Sequence, residues 1–192
     1  MQDENFSPQE SFQLIQSMIG KTRSNLSENR IYFLLWGWAS FLAIVSQFIL
    51  KVWVGYERHY LVWLITIPTA IYTMIYTSRK ENRRPVKTYI GDSMSSLWTG
   101  IGISFFILSV IVTRQPTGWA GAWPFFILFY GMGTFISGRL LQFRPLVIGG
   151  IFNWVLAITS VFVAYDYQLL LAAAAILTSY IIPGHLLKNI DK

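Results

Sequence analysis

Apolar residues run along this chain in six uncharged blocks, at 31–50, 60–78, 95–113, 119–138, 145–165 and 167–184, and every charged side chain lies outside them. Each block is near the ~20 residues that a helix needs to cross the hydrocarbon core of a bilayer. The pattern predicts an all-α, polytopic membrane protein. Its six transmembrane helices occupy 31–184, preceded by a cytoplasmic segment over 1–30 and followed by a cytoplasmic tail over 185–192. Residues 7–22 carry a different pattern. Ser7-Pro8-Gln9-Glu10 has the form of a helix start, with Ser at the cap, Pro first and Glu third. Phe12, Leu14, Ile15, Met18 and Ile19 then fall within an arc of roughly 160°. This predicts an amphipathic N-terminal helix that packs on the cytoplasmic ends of the bundle or lies in the headgroup plane.

The blocks share spacings. Trp63 precedes Pro68 by five positions, and Trp119 precedes Pro124 by five. Arg79 is followed by Arg84-Pro85, and Arg139 by Arg144-Pro145. Gly37 and Ser46, Gly100 and Ser109, and Gly150 and Thr159 repeat a nine-residue step in the odd-numbered blocks. Together they suggest three helical hairpins in parallel repeat. Small residues four apart, such as Gly100 with Ser104 and Gly133 with Ser137, let helix backbones approach closely in lipid.

Composition and charge add orientation. The chain is 54% hydrophobic and 12% charged, with eight Trp and no Cys. That is about half the charge of an average soluble domain, too little to cover a globular surface. The absence of Cys excludes disulfides, thiolate metal sites and Cys nucleophiles. The N-terminus is acidic and polar rather than basic and then apolar, so no cleavable signal peptide is expected. Twelve Lys and Arg residues fall on one side of the predicted spans and three, Lys51, Arg58 and Arg114, on the other. By the positive-inside rule both termini are cytoplasmic. Five of the basic residues, Arg79, Lys80, Arg83, Arg84 and Lys87, crowd one loop. Their expected partners are anionic lipid headgroups, not nucleic acid.

Candidate chemistry is sparse. The blocks hold no acidic residue, which argues against a proton-coupled pump. Asp92 precedes the third block as a capping residue, and Asp166 is expected in solvent in the turn between the last two. Pro68 frees a carbonyl and predicts a kink. Asn153, with Trp154 beside it, is an amide predicted near the bilayer midplane, and Gln47 lies near the outer end of the first block. A midplane amide is expected to hydrogen-bond across helices or to line a polar cavity. Ser137 in the fourth block and His185 after the sixth echo the helix positions of the rhomboid serine–histidine pair. The Gly-x-Ser-Gly signature is missing, with Phe135 and Ile136 before Ser137. No catalytic group, cofactor or metal site is expected.

Leu35-Trp36-Gly37-Trp38, the stretch from Ser137-Gly138-Arg139 to Pro145-Leu146-Val147-Ile148-Gly149-Gly150, and Tyr180-Ile181-Ile182-Pro183-Gly184 carry a resemblance. The chain resembles small, uncharacterised six-helix integral membrane proteins of Bacteroidetes-type bacteria. That resemblance implies a multi-pass inner-membrane location and no assigned activity. The expected role is a non-enzymatic regulatory, sensing or scaffold subunit acting through helix packing and a basic cytoplasmic face, as a homo-oligomer or with a membrane-protein partner. A small-molecule transporter or channel is the alternative, and a lipid-modifying enzyme comes third. An enclosed polar cavity at Asn153 would favour transport, and a dry bundle the scaffold.

Overall fold

The computed structural model describes residues 30–81, 89–116 and 118–187. The helix expected over 7–22, residues Arg83, Arg84 and Lys87 of the basic loop, and the end of the tail lie outside them. Among the described residues the chain is helical, with no strand. We number six helices: α1 (Arg30–Trp53), α2 (His59–Glu81), α3 (Tyr89–Arg114), α4 (Trp123–Leu140), α5 (Arg144–Val161) and α6 (Tyr165–Leu186). Five of them are long and apolar enough to cross a membrane; α4 is not among the five. Gly131, Gly133, Gly138, Thr134, Ser137 and Arg139 dilute its apolar content.

The turns follow local chemistry. Gly55 and Gly118 have positive φ, where a Cβ would be strained, and mark the reversals after α1 and α3. Between α4 and α5 the chain reverses within Leu141–Phe143. Gln142 takes φ 53° there, the Phe143 N–H donates to the Gly138 carbonyl at 2.9 Å and the Gln142 N–H to that of Arg139 at 3.3 Å. This closes α4 with a left-handed residue, and Pro145 then starts α5 where a missing N–H costs nothing.

Three helices depart from regular α geometry. α1 ends in a π-helical turn, Ile49–Trp53. The first seven residues of α2, His59–Ile65, are 3-10 helix. Pro68, where a kink is expected, lies in the first turn of the α-helical part, Thr66–Glu81. The Thr66 and Thr69 hydroxyls donate to the Trp63 and Ile65 carbonyls at 2.6 and 2.8 Å around the junction. α6 contains a second π turn, Leu177–Ile181. Asp92 lies inside the first turn of α3 rather than ahead of it, because the helix already includes Tyr89.

Glycine sets the closest approaches. A Cβ on Gly150 would lie 2.7 Å from the Phe135 nitrogen and 2.8 Å from the Gly131 carbonyl oxygen, so α4 and α5 touch backbone to backbone. One on Gly149 would lie 3.0 Å from the Thr178 carbonyl oxygen in the π turn of α6. α1 reaches the same turn, since a Cβ on Gly37 would lie 3.0 Å from Cβ of Tyr180. Helices α1, α4, α5 and α6 therefore form the centre. α2 and α3 are peripheral: 6% and 11% of their most apolar windows are buried, against 56% for α6. The glycines that suggested a hairpin repeat differ in surroundings. Gly37 and Gly150 are in tight contact, while Gly100 has nothing within 4 Å.

Hydroxyls in these apolar helices are satisfied locally. Thr73, Ser104, Ser109, Thr134, Thr159 and Ser179 each donate to the carbonyl one turn earlier. Trp36 Nε1 also donates to Thr73 Oγ1 at 3.1 Å, and the Tyr32 and Thr77 hydroxyls bond at 3.1 Å, which ties α2 to α1.

Candidate functional site

Asn153 is fully buried on α5. Neither its Nδ2 nor its Oδ1 has a hydrogen-bond partner among the described residues. The bond expected across the helices is therefore not made. The physical reason lies in the facing surface. The Asn153 Cβ abuts Gly131 of α4, 3.0 Å from where a Cβ on that glycine would be, and glycine has no side chain to offer. Backbone carbonyls along that face are engaged in their own helix. The Trp154 ring lies against the same point of Gly131, 2.7 Å from where its Cβ would be, and packs on Phe135, ring centroids 5.1 Å apart at 35°.

One turn from Gly149, the π turn of α6 carries Tyr180, which is buried. Phe33 of α1, Trp98 of α3 and Tyr130 of α4 present ring edges to it at centroid distances of 5.4, 5.6 and 5.3 Å. Tyr180 is thus where four helices meet. π turns are rare and recur at functional sites.

A polar cluster closes the end of the bundle remote from Arg79. Gln47, 3% exposed, is its centre. Its Oε1 accepts from Trp63 Nε1 at 2.7 Å. Its Nε2 lies 3.2 Å from His59 Nδ1 and donates to the Tyr165 hydroxyl at 3.4 Å. One turn further along α1, the Lys51 ammonium pairs with Asp166 of α6 and sits over the Tyr165 ring, 4.6 Å from its centroid. Asp166 is thus paired rather than free in solvent. Trp63 leans on Trp123, centroids 5.8 Å apart, and the buried Trp123 Nε1 has no hydrogen-bond partner among the described residues. Gln168, a further amide within the sixth apolar block, donates to the Ser160 and Val163 carbonyls at 3.0 and 3.2 Å.

Sequence reasoning found Gln47 but missed its cluster. The signal available was the four-residue step from Gln47 to Lys51, which puts both on one face of α1. His59, Trp63, Tyr165 and Asp166 come from other elements, so no spacing along the chain connects them to it.

Ser137 and His185 are engaged separately. Ser137 is fully buried and its hydroxyl accepts from Trp98 Nε1 at 3.2 Å. His185 is exposed, donates through Nδ1 to the Ile181 carbonyl at 2.8 Å and presents its ring to Trp38 at 6.4 Å. Of the basic loop, Arg79 is exposed at the end of α2. No group of three or more metal-ligating side chains occurs among the described residues. No protein-family model matches the chain, and neither a curated protein nor a solved structure matches it.

Proposed function

We propose that the chain is a six-span integral protein of a bacterial inner membrane with both termini in the cytoplasm. It acts without chemistry of its own, as a regulatory, sensing or scaffold subunit. The observation that carries this reading is the close packing of α4 on α5 around Asn153. Gly131 and Gly150 bring the two backbones into direct contact, so the Asn153 amide lies buried in a close-packed seam. The peripheral helices supply the working surface. α2 and α3 turn most of their apolar length outward, towards lipid and towards neighbouring helices. Small residues at the surface of α3, among them Ser96, Gly100 and Ser104, suit close helix contact with a second copy or a membrane partner. Residues 79–87, with Arg79, Lys80, Arg83, Arg84 and Lys87, bind anionic headgroups at about 1 kcal/mol per basic residue near the surface.

Transport of a small molecule is the second reading, and the unpartnered amide of Asn153 is the observation in its favour. Native mass spectrometry from mild detergent separates the two. The subunit reading expects an oligomer or a defined complex that retains lipid. A small polar ligand retained by the wild type and lost in Asn153→Leu would overturn it in favour of transport.

A further inference from the structure

The hydrogen bonds around Gln47 can be assigned without ambiguity, and the assignment has a consequence for pH. An indole N–H can only donate. Trp63 Nε1 lies 2.7 Å from Gln47 Oε1, so the amide oxygen faces Trp63 and the amide nitrogen faces His59. An amide NH2 can only donate as well. His59 Nδ1, 3.2 Å from Gln47 Nε2, must then accept. The imidazole is held neutral, with its proton on Nε2.

Protonation would put a hydrogen on Nδ1, and two donors would face each other. Gln47 cannot resolve this by turning its amide over, because that would aim NH2 at the Trp63 N–H. The Tyr165 hydroxyl already accepts from the same amide nitrogen. The charges acting on His59 from the packed elements are Lys51 of α1 and Asp166 of α6. Lys51 repels an imidazolium, and Asp166, which would attract one, is already paired with Lys51. On the histidine's own segment, Glu57 and Arg58 are exposed, and Tyr60 contributes only a ring edge at 6.1 Å.

We propose that His59 is a proton-operated latch: neutral, it fastens the 3-10 start of α2 to Gln47 of α1, and protonated, it releases it. The hinges are in place. Gly55, with positive φ and nothing within 4 Å, lies on one side of the latch. The junction of 3-10 and α helix at Thr66 lies on the other. The released segment is His59–Ile65, none of which is fully buried. Histidine changes charge between about pH 5 and 8, so the packed form persists at neutral pH and is lost as the pH falls. Release leaves the Lys51–Asp166 pair intact. It breaks the Trp63–Gln47 bond along with that of His59 and moves only the end of a helix whose later turns stay tied to α1 through Thr73 and Thr77. The inference is independent of which side of the membrane this end faces.

Because the natural chain has no Cys, two introduced cysteines carry the only labels. Leu42→Cys on α1 and Leu61→Cys in the 3-10 segment are both at exposed positions. Nitroxides there, in the full chain in nanodiscs, report their separation by pulsed electron resonance. A single narrow distance is expected at pH 7.5, and a longer population that becomes the majority at pH 5. His59→Gln, which offers an acceptor that does not titrate, is expected to stay narrow at both. Asp166→Asn leaves Lys51 unopposed, so the opening should move to lower pH. An unchanged wild-type distance at pH 5 would overturn the latch, and so would the same acid opening in His59→Gln. Should His59→Gln be open already at pH 7.5, the Asp166→Asn variant decides: a shifted midpoint supports a titrating His59, and an unmoved one overturns it.

Discussion

Two residue types, glycine and asparagine, carry most of what is specific here. Gly150 and Gly100 share a place in the sequence pattern yet predict opposite outcomes. A methyl group on Gly150 meets the Phe135 nitrogen and the Gly131 carbonyl, neither of which can swing away. Gly150→Ala should destabilise the protein by about 1–3 kcal/mol, as overpacking does. Gly100 has nothing within 4 Å, and Gly100→Ala should be neutral or gain about 0.5–1 kcal/mol from helix propensity. Thermal unfolding of the two variants in one detergent checks the pair, and equal effects would mean that the glycine seam is misplaced. Asn153 makes no bond that Leu would lose. Asn153→Leu keeps the side-chain shape and removes an unsatisfied amide, so stability should hold or rise, by up to about 1–3 kcal/mol. A loss above about 1 kcal/mol in the same melting experiment would show that the amide has a partner in the membrane. The sequence made the position of Asn153 legible, since an amide deep in an apolar block stands out. Its lack of a partner was not legible, because that depends on a glycine twenty-two positions away facing it.

Elements were legible where charge marks them. Each apolar block contains a helix because uncharged runs of this length have no other way to satisfy their backbone in lipid. Block 119–138 nevertheless begins before α4 at Trp123, and block 145–165 runs past the end of α5 at Val161 into the turn and the first residue of α6. What the blocks did not reveal was the departure from α geometry: the 3-10 start of α2 and the two π turns. These answer to contacts from other helices. The end of α1 and the starts of α2 and α6 depend on one amide, Gln47, for their junction. Gln47→Leu leaves the Trp63 N–H without an acceptor and frees His59. The expected cost is about 1–3 kcal/mol, with faster hydrogen exchange confined to residues 55–65. Exchange that stays unchanged in this segment would mean that the cluster does not hold it. The Lys51–Asp166 pair beside it is 30% and 41% exposed, and a partly solvated pair of this kind contributes at most about 1 kcal/mol. Lys51→Gln should therefore matter less than Gln47→Leu.

At the scale of the molecule, the division into a tight centre and two loose flanking helices could not be read from hydropathy. α3 and α6 are both long and apolar, yet 11% of one window is buried and 56% of the other. The difference comes from where glycine and aromatic side chains meet, as at Gly37, Gly149 and Tyr180. Orientation rests on charge alone, twelve basic residues against three. Cysteines placed at Asp166 and at Arg84 should differ towards an impermeant maleimide on intact cells, with Asp166→Cys labelled and Arg84→Cys protected. The reverse result would invert the protein and put the 79–87 loop outside.

The three-residue link between α4 and α5 bears on how such a chain enters a membrane during synthesis. α4 leaves the ribosome first, and it is not among the five helices long and apolar enough to cross a membrane. Two of its three glycines, Gly131 and Gly138, find their contacts on α5, so its packing has to wait for the next eighteen residues to emerge. On the six-span reading the two helices would enter the membrane as a pair, even though they are translated in turn. Lengthening the link at Gln142 would give up the bonds of the turn but keep the glycine contacts between the two helices, while stretching the interval in which α4 stands alone, exposed to extraction or degradation. The tight turn thus acts on the yield of the protein before it acts on its stability.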